Sequence, residues 1–128
     1  MRRTIAVDGP DEVDEVWQRY AVVARWRSWS TPIRRVESSS ERLVAGMTGV
    51  VHGPPGVRVR FVVDAVDDDA HAWRWGVRLG PLHLVLEHAV VGKPGGGSTA
   101  TLVVDGPAAP VLIYPEVARL SLRRLVGR

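Results

Sequence analysis

The sequence predicts an α+β fold: an opening strand, two short helices, a long run of strands and a closing helix. Three observations carry this. Apolar residues recur at helical spacing only between about Pro10 and Trp26 and again near the C-terminus. From Ile33 to Val104 the apolar period is two, and the segments are separated by turn residues. The separators are short, so consecutive strands pair as an antiparallel meander.

The elements follow in order. Arg3 to Val7 is an opening strand, ended by the turn Asp8-Gly9-Pro10. Pro10 suits a first helical position, and Asp11, Glu12, Asp14 and Glu15 place negative charge on the first turns. Val13, Val16, Trp17, Tyr20 and Ala24 share one face, which predicts a helix from about Pro10 to Tyr20 and a short second one around Val22 to Trp26. Six strands are expected at Ile33–Glu37, Val44–His52, Val57–Val66, Ala70–Leu79, Leu82–Val91 and Thr99–Val104. Pro110 and Pro115 must precede the closing helix, start it or kink it, because an interior proline removes a hydrogen bond. Its regular part is therefore placed from about Pro115 to Val126.

At 128 residues and 14.0 kDa the chain is expected to form one domain spanning residues 1–128. There is no cysteine, which excludes disulfides, thiolate catalysis and Cys-ligated zinc. No segment approaches the ~20 apolar residues of a membrane span, and no signal-like run follows Met1, so a cytoplasmic protein without membrane insertion is expected. The formal charge of +3 and a pI near 10.2 raise a nucleic-acid partner, which the distribution argues against. Arg25, Arg34, Arg58, Arg60, Arg74 and Arg78 are scattered among apolar residues. The one concentration, Arg119, Arg123, Arg124 and Arg128, suits the dipole of a helix C-terminus.

Strand phase assigns faces. Val57, Val59, Phe61, Val63 and Ala65 share one face, opposite Arg58, Arg60 and Asp64. Trp73, Trp75, Val77 and Leu79 face together, opposite Arg74 and Arg78. Leu82, Leu84, Leu86, His88 and Val90 continue the apolar face, as do Ala100, Leu102 and Val104. One greasy face and one charged face are what a sheet packed on a helix requires. A curved apolar sheet around a helix encloses space, and small-molecule sites are typically such concavities. His88 is the only ionisable residue on that face, so chemistry points there first. A core histidine hydrogen-bonded to a neighbour is the favoured reading over a polar handle for a ligand.

Other candidates have plainer explanations. His83 and His88 lie an odd number apart on one strand and so on opposite faces, and no metal motif occurs elsewhere. Asp67-Asp68-Asp69 with His71 reads as a solvated turn rather than a cation site. Gly92-Lys93-Pro94-Gly95 lacks the order of a phosphate loop, and no G-x-S-x-G accompanies Ser28, Ser30, Ser98 or Ser121. Paired carboxylates are absent from the greasy face.

The run Trp26-x-x-Trp29-x-x-x-Ile33-x-x-Val36, preceded by Val16-Trp17 and Arg25, and with Pro32 within it, resembles a known family. Phe61-Val62-Val63-Asp64-Ala65-Val66-Asp67, Trp73-Arg74-Trp75, Leu86-Glu87-His88 and Gly106-Pro107 support the likeness. With the meander and closing helix, the chain is similar to the SRPBCC superfamily of START/Bet v 1-like helix-grip proteins, in particular its polyketide cyclase/dehydrase-like branch. The resemblance implies a curved seven-stranded antiparallel sheet around a C-terminal helix, with two short helices after the first strand. It implies a central cavity for a small hydrophobic ligand such as a lipid, sterol, polyketide or aromatic metabolite; separately, the residues themselves lead us to expect no metal and no cofactor. Carried over by position, the wall is Phe61, Trp75, Leu84, Leu86, His88 and Leu102, with Trp29 near the mouth. The proline-interrupted closing helix is short for the family, implying a cavity that is smaller, more open, or completed by a second copy in a homodimer.

Three functions compete. Non-catalytic binding of an apolar ligand is favoured, because no catalytic set is visible. A cyclase or dehydratase would use His88 as general acid/base with Tyr20 or Tyr114 as hydrogen-bond donor. A protein-interaction module would use the arginine-rich last turn and the Arg58/Arg60/Arg74/Arg78 face.

Overall fold

The computed structural model describes residues 1–30 and 32–128. Seven strands form one antiparallel sheet: β1 (Arg2–Gly9), β2 (Arg35–Ser38), β3 (Thr48–His52), β4 (Arg58–Asp67), β5 (Ala72–Leu79), β6 (Leu82–Gly92) and β7 (Ser98–Asp105). Their order is β1-β7-β6-β5-β4-β3-β2, a meander whose last strand takes the first as its outer neighbour. The helices are α1 (Val13–Ala21), α2 (Trp26–Trp29) and α3 (Ala108–Leu125), with a 3₁₀ turn at Val23–Arg25. No helix is long and apolar enough to cross a membrane among the described residues.

Trp26 and Trp29 explain how α1 ends. The last four carbonyls of a helix have no partner within it. Here the Gln18 carbonyl accepts from the Val22 amide at 3.0 Å and the Ala21 carbonyl from the Leu43 amide at 2.9 Å. The other two accept from indoles: Trp29 Nε1 donates to Arg19 O at 2.9 Å and Trp26 Nε1 to Tyr20 O at 2.8 Å. The Trp-x-x-Trp pair is thus a C-terminal cap for α1 as well as a core anchor, with Trp26 1% exposed.

The predicted strands are present with shifted ends, and two differences have local causes. The first is in β4, where the register slips between Val63 and Ala65. A β-bulge inserts one residue and inverts the phase beyond it. Val66 therefore turns inward opposite Trp73, and Ala65, expected on the greasy face, lies exposed opposite Arg74. The second is at β3, which begins at Thr48; Val44, the expected start, is exposed in the turn before it.

α3 begins at Ala108, two turns before the predicted start. Pro110 falls in the first turn, where no amide hydrogen is needed. Pro115 is inside the helix, buried, and cannot donate to the Val111 carbonyl. Arg3 of β1 reaches across at this point: Nη1 donates to the Leu112 carbonyl at 2.9 Å and Nη2 pairs with Glu116 at 3.1 Å. At its far end α3 is tied to the segment just before α1 and to the last turn of α1. The Asp11 amide donates to Val126 O at 3.1 Å and Arg19 Nη1 donates to Leu125 O at 2.6 Å. A Cβ on Gly9 would collide with Val126, so the close approach needs glycine there.

Candidate binding cavity and the buried histidine

The inner face of the sheet, α2 and one side of α3 enclose a cavity of about 300 Å³. Its walls are overwhelmingly apolar. Trp29, Trp75, Leu84, Leu86, His88 and Leu102, named from the sequence, all border it. Phe61 does not. It is 2% exposed and packs behind the wall, its ring 5.2 Å from Trp75 and 5.7 Å from Trp26. The closeness of Gly49 accounts for this: the Phe61 ring occupies the space where a Gly49 side chain would stand.

Sequence reasoning left two tryptophans, Trp26 and Trp73, out of the wall, and of α3 it named only Tyr114, as a candidate donor, where Ala118 and Ser121 also line the cavity. Trp73 sat on the predicted face and was signalled by phase. Ala118 and Ser121 lay within the predicted helix, but no strand phase tied that helix to the cavity, and the half carrying Tyr114 lay outside the predicted span. Pro32, Ile33, Pro54 and Val57 line the opening side.

His88 sits at the centre of an aromatic cluster on this wall. Its ring stacks on Trp73, its cross-strand partner, at 4.7 Å and 14°. Trp75 Nε1 lies 3.2 Å from His88 Nε2, and Tyr20 Oη lies 3.1 Å from Nδ1. An indole only donates, so Nε2 is the acceptor, and in a neutral ring the hydrogen resides on Nδ1 and is donated to Tyr20. Both nitrogens are thereby occupied. Burial pulls the imidazole pKa down from 6.5 to about 3. Burial also raises the phenols of Tyr20 and Tyr114, with Tyr20 raised further by its proximity to Tyr114. At neutral pH the site holds a neutral imidazole and two neutral phenols, with no ionised group.

His83, on the same strand, faces out and is exposed, so the two histidines share no ion. Asp67 Oδ1 accepts from the amides of Asp69 and Ala70 at 3.1 and 3.0 Å, the geometry of a capped turn. Among the described residues no cluster of His, Asp or Glu could hold a metal ion.

A sheet curved round one long C-terminal helix, with two short helices closing one end over an apolar cavity, is the helix-grip, Bet v 1-like fold. Solved structures match it over nearly its whole length. A protein from Nitrosospira multiformis aligns with a TM-score of 0.82 at 11% identity, over 99% of this chain and 94% of that one. Ara h 8.0201 aligns at 0.77 and 14% identity, over 99% and 95%. DynU16, described as a putative protein in the dynemicin biosynthetic locus, aligns at 0.67 and 20% identity; the match covers 94% of this chain and 41% of that longer one. No family model and no curated protein sequence matches the chain.

Proposed function

We propose that the protein binds a small, mostly apolar molecule in the cavity between the sheet and α3, without transforming it. The observation that carries this is the state of His88, the one titratable side chain besides Tyr114 among the described cavity walls. Its lone pair and its N–H are both committed, and its pKa lies far below neutrality. A general acid/base needs a free position within reach of substrate and a pKa near the working pH. The fold's likeness to Ara h 8.0201 and DynU16 supports an apolar-ligand scaffold.

Volume narrows the ligand. A dry cavity of about 150 Å³ accepts benzene. The 300 Å³ here corresponds to two fused or linked rings, which favours an aromatic metabolite over a sterol or a full-length lipid. Tyr114 and Ser121 offer hydroxyls on the α3 side for one polar substituent.

The test is a fluorescence titration with 2-naphthol. Saturable binding is expected for the wild type and loss of binding for Ala118→Phe, which fills the cavity from α3. No saturable binding of any one- or two-ring aromatic by a folded wild type would sink the proposal.

A further inference from the structure

The outer face of the sheet gathers charges that are scattered in sequence. Arg60 of β4 stands directly opposite Arg78 of β5, which stands opposite His83 of β6. Arg58 lies two residues from Arg60 and so on the same face. Arg58, Arg60 and Arg78 border a basin of about 480 Å³ with Val50 and Gly80. A neighbouring hollow adds Val62, Val85 and His83, with Asp64 at its edge.

Other arginines on this face are neutralised. Arg74 pairs with Asp64 at 3.7 Å, Arg2 with Glu87 at 3.2 Å, and Arg35 with Glu37 at 3.6 Å. Arg58, Arg60 and Arg78 have no ion pair among the described residues. Like charges directly opposite on adjacent strands destabilise a sheet, and guanidinium stays protonated at any working pH. Glu37 lies near enough to feel the charge of Arg58, but among the described residues no carboxylate pairs with any of the three, so three guanidiniums crowded around one basin are an electrostatic cost that a bound anion relieves.

We infer that this basin is an anion site, in which Arg58, Arg60 and Arg78 take a phosphate-type group carrying two or more negative charges. A single carboxylate would neutralise one arginine and leave two. A phosphate or diphosphate presents several oxygens to several donors, and the planar guanidinium fork matches it bidentately. Gly80, with φ of +57°, places no side chain over the basin. The sheet separates this site from the apolar cavity, so neither proposal depends on the other.

The experiment is an NMR amide titration of the full chain with inorganic pyrophosphate at low salt. Saturable shifts centred on Arg58, Arg60, Arg78 and Gly80 are expected. Arg60→Gln and Arg78→Gln should each weaken the affinity by about tenfold or more, the scale of one lost charge-assisted hydrogen bond. Arg2→Gln, whose arginine is already paired with Glu87, should leave it unchanged. Both basin variants relieve repulsion, so their urea midpoints without anion should be no lower than that of the wild type. Vesicles of phosphatidylcholine with and without phosphatidic acid then distinguish a lipid headgroup from a soluble phosphate. Pyrophosphate-sensitive binding to the phosphatidic acid vesicles supports the first source, and binding of pyrophosphate alone supports the second. No saturable pyrophosphate binding, equal affinity in the basin variants, or binding of vesicles or RNA that pyrophosphate does not displace would overturn the inference.

Discussion

The buried state of His88 makes stability depend on pH in a calculable way. Below pH 6.5 the unfolded chain takes up a proton at His88 that the folded chain refuses until about pH 3. Protons bound only by the unfolded state favour unfolding, so this stability is complete above pH 6.5 and declines as the pH falls. Across that interval each pH unit removes about 1.4 kcal/mol. The loss reaches about 2 kcal/mol at pH 5 and about 5 kcal/mol at pH 3, against a total of roughly 5–15 kcal/mol for a typical domain. Among the described residues no charged side chain faces the ring: its partners are Tyr20, Trp73 and Trp75. Glu15 and Glu37 are held below the usual carboxylate value by hydrogen bonds from Arg25 and His52, and their contributions fade only below about pH 4.5. The window from pH 7.5 to pH 5 therefore excludes them. His88→Gln keeps an acceptor for Trp75 and a donor for Tyr20 but cannot titrate. Urea denaturation followed by tryptophan fluorescence should show the wild type losing about 2 kcal/mol more than His88→Gln across that window. Parallel curves for the two proteins would refute the neutral, buried imidazole and the non-catalytic reading built on it.

Three further expectations rest on individual contacts, each read as a change in urea midpoint. Trp26→Phe keeps an aromatic ring but leaves the Tyr20 carbonyl without its indole donor, and should cost about 1–3 kcal/mol. Ser98→Ala removes a buried hydroxyl with no hydrogen-bond partner among the described residues and should raise stability by about 1 kcal/mol, the opposite sign to an ordinary core truncation. Gly49→Ala drives a methyl into the Phe61 ring and the Glu37 carbonyl, and should cost about 1–3 kcal/mol or more.

What was legible in the sequence was whatever rests on local periodicity. Alternation exposed the greasy face carrying Trp73, Trp75, Leu86, His88 and Leu102, and it separated His83 from His88. Periodicity failed where one residue changed the count. The bulge at Asp64 reverses the phase of β4, and nothing in Val63-Asp64-Ala65-Val66 distinguishes a bulged strand from a regular one. It failed again in α3, which is apolar on two sides. Val111, Ala118, Leu122 and Leu125 are buried, while Leu112, Ile113, Val117 and Leu120 are exposed. With apolar residues on both sides the helical stripe is blurred, and the prolines then read as a boundary. Phase also put Arg58, Arg60, Arg74 and Arg78 on one charged face, but only strand register shows Arg60 beside Arg78 and Arg74 paired away with Asp64.

The same register explains why the histidine on the wall is structural. Trp73 and His88 are cross-strand partners, and Trp75 is directly opposite Leu86, two residues before His88. That diagonal lets the Trp75 indole reach Nε2 while Trp73 covers the ring face. Tyr20 closes the third side from α1, and α1 is held at its C-terminal end by Trp26 and Trp29. The tryptophan pair that marks the chain's likeness to helix-grip proteins thus acts on the cavity indirectly: it fixes the end of α1 that keeps Nδ1 of His88 occupied. If that linkage is right, Trp29→Phe should loosen Tyr20 and raise the His88 pKa toward 6.5, which an NMR titration of the imidazole carbons reads directly. An unchanged His88 titration in a folded Trp29→Phe variant would show that the histidine is held by the sheet alone.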